Sequence, residues 1–256
     1  ASLLERLALK VIHDDHTPEH EQMLDERLLA TPTLALEQCR RVAVEMGKKA
    51  VEALCFALEA LEKLTPTLAK KIRDYEQKTD KYEDVCGTYL IKLSSKDLSD
   101  SDSEEATMLL KIIGDFERIG DHAVNVLESA EEMEEKGLVF SPEAKGDLKA
   151  ISDAVKEVLK LTLSAFEKDD ALKAEEVEPL EQTVDRLKED IRTRHILRMQ
   201  KKNCSVESGF VMSDIITDLE RASDHCSNVA ECVIDKAEYR MDKTRFSVFE
   251  NEGVIG

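Results

Sequence analysis

The stretch that decides the fold is KIIGDFERIGDHAVNVLES, Lys111 to Ser129, because the chain carries it twice. Moved along by 103 places it falls on DIITDLERASDHCSNVAEC, Asp214 to Cys232, with ten of nineteen positions identical. Agreement of that order marks an internal repeat, and a repeat constrains the architecture before any single element is assigned. In the first copy Ile112, Phe116, Ile119, Ala123 and Val126 fall at helical spacing; in the second, Ile215, Leu219, Ala222, Cys226 and Val229 do the same. Each set forms one face of an α-helix, with acidic residues along its border.

Outward from these two helices, breakers divide the rest of the chain. Thr31 with Pro32 reads as N-cap and first residue of a helix to about Leu64, and Thr65 with Pro66 opens a second to about Leu93. The polar run Ser94 to Ser103 reads as a loop, followed by a third helix from about Glu104 to Lys136 that Gly137 ends. Ser141 with Pro142 starts a fourth to about Lys168; a fifth spans about Asp170 to Lys201; Asn203 to Ser205 turn into a sixth that fades near Tyr239. The expected fold is all-α, two tandem three-helix bundles made of six long helices. The expected division is a linker over 1–31, repeats over 32–139 and 140–240, and a flexible tail over 241–256.

Composition agrees and removes other classes. Nine Gly and five Pro in 256 residues leave too few tight turns for a many-stranded fold. A formal charge of −19 repels a phosphate backbone, so nucleic acid is not an expected partner. No apolar run reaches the roughly 18 residues a membrane span needs, and Glu5, Arg6 and Lys10 interrupt the start. The cysteines at 39, 55, 86, 204, 226 and 232 have irregular spacing without C-x-x-C, and they read as small buried thiols in a reducing setting.

The repeat preserves acids. Glu76 and Asp80 form an E-x-x-x-D that a shift of 105 places on Glu181 and Asp185, while E-R-x-x-D-H recurs from Glu117 to His122 and from Glu220 to His225. Residues four apart on a helix lie about 6 Å apart on one face, so each motif presents two carboxylates in one direction. In an antiparallel hairpin, residues equally far from the connecting loop face each other. Glu76/Asp80 and Glu117/Asp121 are so placed about Ser94 to Ser103, and Glu181/Asp185 and Glu220/Asp224 about Asn203 and Cys204. Four acids therefore converge in each repeat. Facing carboxylates repel unless protonated or neutralised by a cation, and an oxygen-only donor set suits iron(III), manganese, magnesium or calcium better than zinc or copper. The plain alternative is a pair of solvated acidic faces. Asn125, Glu128, Asn228 and Glu231 continue the polar stripe.

The other chemistry is thinner. A ferritin-like metalloenzyme uses Glu-x-x-His, and the sequence contains none. His122 and His225 follow the aspartates directly, so they point about 100° from the acid stripe and read as packing or helix-surface residues. Arg118 and Arg221 are expected to pair with Asp115 and Asp218 one turn earlier. His13, His16 and His20 beside Asp14 and Asp15 read as solvated linker, interrupted by Pro18.

Two three-helix repeats with E-x-x-x-D on the second helix and D-x-E-R-I-G-D-H-A-x-N on the third resemble the PhoU family of phosphate-uptake regulators. The resemblance covers about 33–240 and implies a multinuclear metal cluster in each repeat, one held by Glu76, Asp80, Glu117 and Asp121 and the other by Glu181, Asp185, Glu220 and Asp224. Iron is the first expectation, with manganese, magnesium, calcium or zinc behind it. Ala222 and Ser223 depart from the Ile-Gly of the signature, which alters packing and leaves the acids in place. LDERLLATPTLALEQ, Leu24 to Gln38, resembles the segment joining the membrane part of bacterial sodium/phosphate symporters to a PhoU-like tail. With a start at Ala1, the expectation is a cytoplasmic regulatory domain, not an enzyme, continuing from a sodium-dependent phosphate transporter. The alternative is a stand-alone regulator of an ATP-driven phosphate importer and its sensor kinase. The partners implied are the membrane transporter portion of the same polypeptide or a phosphate transport protein, phosphate by way of the metal, and a second copy in a homo-dimer.

Overall fold

The computed structural model describes residues 24–201 and 204–251, with side chains through 241, and among these residues there is no strand. Helix α1 spans Pro32–Glu62, α2 Pro66–Ser94 and α3 Asp100–Lys136; the second repeat supplies α4 Pro142–Lys168, the single turn α5 Ala171–Ala174, α6 Val177–Gln200 and α7 Val206–Asn251. The architecture is the all-α pair of three-helix repeats that the sequence indicates. The histidines at 13, 16 and 20 lie outside the described residues.

Local chemistry sets the ends. The hydroxyls of Thr65, Ser99 and Ser141 accept the N–H of Leu68, Asp102 and Ala144, which satisfies donors that a helix start leaves unpaired. Gly137 closes α3 with φ 62, a left-handed conformation that suits a residue without Cβ. Three boundaries differ from the sequence reading. Helix α3 begins at Asp100, because Ser99 caps it and Asp100 and Asp102 sit where the helix dipole favours negative charge. The expected fifth helix is broken after Ala174: Pro179 has no N–H to give the Glu175 carbonyl, so a continuous helix would lose that bond. Helix α7 continues beyond Tyr239 to Asn251, through much of the stretch read as a tail. At the other end, Asp25 to Ala30 are docked rather than free. Asp25 caps the 3-10 turn Glu26–Ala30, its carbonyl accepts from the Tyr89 hydroxyl at 3.0 Å, and Glu26 meets Lys92 at 2.6 Å.

One apolar core runs through both repeats. Phe116 of α3 meets Phe166 of α4 edge to face at 5.5 Å, and both are fully buried. Gly47 makes room, since a Cβ there would lie 2.7 Å from Phe116 Cζ. Arg40 of α1 covers the other repeat's Phe166 ring at 4.6 Å and donates to the Phe166 carbonyl at 2.7 Å. Beside it Lys236 bridges Glu105 at 2.7 Å and Asp169 at 3.3 Å, so four elements are tied by an ion network at the edge of the core. Asp169 ends α4 in a left-handed conformation, φ 54, which places its carboxylate among these cations.

Candidate metal centre

Helices α2 and α3 bring the first acids together because they approach closely where the acids stand. A Cβ on Gly120 would lie 2.7 Å from Thr79 Oγ1, so only glycine admits this spacing without a shift, and Thr79 itself turns its hydroxyl back to the Glu76 carbonyl at 2.7 Å. In the second repeat Val184 and Ser223 take the corresponding places, both buried, and Ser223 Oγ has no hydrogen-bond partner. The Ile-Gly to Ala-Ser exchange thus leaves a buried hydroxyl unsatisfied while the helices still converge.

The result is two triads. Carboxylate oxygens of Glu76, Asp80 and Asp121 lie within 4.8 Å of one another, and so do those of Glu181, Asp185 and Asp224. Of the eight acids singled out from the sequence, these six are brought together. Glu117 stands beside the first triad, half-buried, with Arg118 Nε at 3.4 Å. Glu220 is drawn instead to Lys188, whose ammonium lies 2.7 Å from its Oε1.

Crowded negative charge shows in the proton affinities. Burial, then the charges of Asp80 and Asp121, push the Glu76 carboxyl up; burial, then Asp121 and Asp84, push Asp80 up. Glu117 moves the same way, through burial first and Asp121 second, against the pull of Arg118. In the second triad burial and then Asp185 raise Glu181 to about 7, and burial and then Glu220 raise Asp224. These are carboxylates whose repulsion their surroundings leave uncompensated. The donor set is oxygen only and partly open to solvent, and in the second repeat a protein ammonium already rests on one of its acids. Hard cations fit such a set.

Arg118 and the asparagines Asn125 and Asn228 correct the sequence reading, while His122 and His225 pack against each other as expected. Arg118 does not reach back to Asp115; its Nη1 meets Asp121 at 3.2 Å. Asp115 is engaged across the repeats by His225 Nδ1 at 2.9 Å and by the Asn228 amide at 3.0 Å. Asp218 likewise receives His122 Nδ1 at 2.9 Å and the Asn125 amide at 3.0 Å. The rings of His122 and His225 stack at 5.6 Å between centroids. Asn125 and Asn228 therefore serve the seam between α3 and α7, not the acid stripe. The signal was present: Asp115, His122 and Asn125 are among the positions the two copies share.

The thiols are all free, with Cys39, Cys86, Cys226 and Cys232 buried; burial pushes Cys226 up to about 12 and Cys232 up to about 11. No helix among the described residues is long and apolar enough to cross a membrane.

The PhoU domain model matches this chain over 43–130 and again over 148–233, one match to each repeat. The chain belongs to the PhoU domain family. It is 27% identical over 184 residues to the phosphate-specific transport system accessory protein PhoU homolog 1 of Thermotoga maritima, covering 72% of this chain and 78% of that one. It is 26% identical over 200 residues to the corresponding PhoU homolog of Pseudomonas putida, covering 78% and 77%. Among solved structures, PhoU from Pseudomonas aeruginosa superimposes with a TM-score of 0.75 at 25% identity, covering 79% of this chain and 97% of the other. Both PhoU matches contain an acid triad.

Proposed function

We propose that this PhoU-family protein regulates phosphate transport as an accessory protein of a phosphate transport system, on the cytoplasmic side of the membrane, and carries out no catalysis of its own. The observation that supports this best is the match of the PhoU domain to both repeats, together with relatives whose names place them in phosphate-specific transport. Most of the length of those relatives is matched, and nearly all of the Pseudomonas aeruginosa chain. That pattern favours the accessory-protein arrangement over the tail of a sodium-dependent transporter. The tail remains the second reading, supported by the resemblance of Leu24 to Gln38; a reading frame upstream of Ala1 that encodes several membrane spans would establish it.

On this reading Glu76, Asp80, Asp121 and Glu117 hold a metal cluster in the first repeat, and Glu181, Asp185, Asp224 and Glu220 one in the second, iron first. When bound, the cluster supplies positive charge with open positions for phosphate oxygens, which an acidic surface alone would repel. The chain's own part is positional. Close contact at Gly120 and Thr79 sets the carboxylates at ligand spacing, and Arg118 orients Glu117 and Asp121.

The test is uptake of labelled phosphate at several external concentrations, in cells with the gene, without it, and with the Glu76→Ala/Asp121→Ala variant. Deletion should change uptake and its response to external phosphate, and the variant should reproduce the change while retaining its helicity. Identical uptake in all three strains would remove the regulatory reading.

A further inference from the structure

The repeats differ in charge at several places beside the triads; Arg73 stands where the second repeat has Glu178, whose charge adds to the upward push on Glu181, and another difference has the opposite sense. The shift that lays Glu76 and Asp80 on Glu181 and Asp185 lays Glu83 on Lys188. Lys188 is three residues beyond Asp185, on the same side of α6. Its ammonium sits 2.7 Å from Glu220 Oε1, with the two side chains only 19% and 16% exposed. Its field also reaches Asp224, opposing the upward push of burial and Glu220 on that carboxyl. The first repeat has no counterpart. Glu83 shares an open cleft of about 690 Å³ with Glu117 and Arg118. Arg118 does contact Glu117 and Asp121, but it is 61% exposed, where water and salt screen its charge. The acids of the first centre thus have a screened guanidinium beside them, and those of the second an enclosed ammonium.

We propose that the two centres are unequal: the first takes metal at lower concentration, and Lys188 serves as the protein's own counter-ion at the second, which must release Glu220 before that carboxylate can become a ligand. The proposal rests on the metal reading given above. The physical ground is competition. A cation entering the first centre competes with a solvent-screened guanidinium on Glu117 and Asp121, whereas one entering the second must break a shielded ion pair. Loading of the second centre then moves Lys188, so the two centres report different ranges of metal supply.

The full chain titrated with manganese(II), followed by calorimetry and by the magnetic resonance signal of the free ion, tests this. Diffraction at the manganese absorption edge from crystals grown at limiting metal locates the first ions. The native protein should show two classes of binding, with the limiting metal at Glu76, Asp80 and Asp121. Lys188→Glu should tighten the second class at least tenfold, and Lys188→Met should fall between. Glu83→Lys should weaken the first class by a similar factor, with circular dichroism unchanged in all three. Equal filling of both centres in the native protein, or a second class that neither Lys188 variant tightens, would overturn the inequality and leave the metal reading standing. Absence of manganese from both centres would overturn both.

Discussion

His122 and Asp218 lie 2.9 Å apart across the boundary between the repeats, and His225 and Asp115 stand at the same distance on the other side of it. Each aspartate is largely shielded, 15% and 14% exposed, and accepts from an asparagine as well. Removing the acceptor would leave an imidazole and an amide without a partner in a partly dry seam. Asp218→Ala should cost about 1–3 kcal/mol, and each kcal/mol lowers the melting temperature of a chain this long by about 2–4 °C. Asp115→Ala should match it. Calorimetry of both variants and the double variant checks this, and losses within 1 °C of the native protein would contradict it.

The metal-free protein should lose stability as pH rises. Glu181, Glu76, Asp80, Glu117 and Asp224 all have raised proton affinity in the folded chain. Groups of this sign bind more protons folded than unfolded, so their contribution is full below the ordinary carboxylate range and is lost as pH passes the folded values, about 7 for Glu181. With a chelator present, the melting temperature should fall between pH 5 and pH 8. Glu181→Gln should flatten the slope, and saturating metal should reverse it. A flat profile for the chelated native protein would count against the crowding of these acids.

Gly120→Ala should disturb the first centre and spare the second. Its added methyl would lie 2.7 Å from Thr79 Oγ1, so α2 and α3 must separate at the level of Glu76 and Asp121. The expected cost is about 1–3 kcal/mol, as for overpacked cores, with loss of metal at the first centre in elemental analysis. Gly120→Ala combined with Thr79→Ala removes the clashing oxygen and should restore much of both. Failure of the second change to rescue would place the cause elsewhere.

Lys236 holds Glu105 and Asp169 together at 2.7 Å and 3.3 Å and is 9% exposed. Lys236→Ala should therefore destabilise by about 2 kcal/mol, below the 3–5 kcal/mol of a fully buried pair because Asp169 reaches solvent. Asp169 is held below its usual range by Arg40 and Lys236 against the opposing effect of burial. Its contribution is present above the ordinary carboxylate value and is lost as pH falls through the depressed one. Asp169→Asn should accordingly weaken the protein at pH 7 more than at pH 3, which urea titrations at the two values would reveal.

The architecture was legible because two signals agree: apolar spacing around Phe116 and Leu219, and recurrence of the same acids in both copies. That acids of each repeat gather follows from helix geometry, since residues equally far from a loop face one another; that Glu117 and Glu220 stand outside the triads does not. Other features were not legible. The start of α3 hides in a polar run, where Ser99 and two aspartates have the composition of a loop and the chemistry of a cap. The break before α6 depends on one missing N–H at Pro179. The partner of Asp115 comes from the other repeat, a contact that spacing within one helix cannot express. Glu220 was placed on the right face, but its engagement with Lys188 depends on a neighbour whose counterpart, Glu83, has the opposite charge.

The seam of α3 and α7 has one more consequence. Residue 122 meets 218 and residue 225 meets 115, so corresponding residues of the two copies exchange partners; this is the pattern of an isologous interface, in which one patch recognises itself. A lone repeat would expose that patch, and Phe116 would lose the Phe166 ring that meets it from the other repeat. Within this polypeptide the patch is already satisfied, since the first repeat finds in the second what a free subunit would seek in its twin. Any larger assembly of the protein must therefore be built from other surfaces.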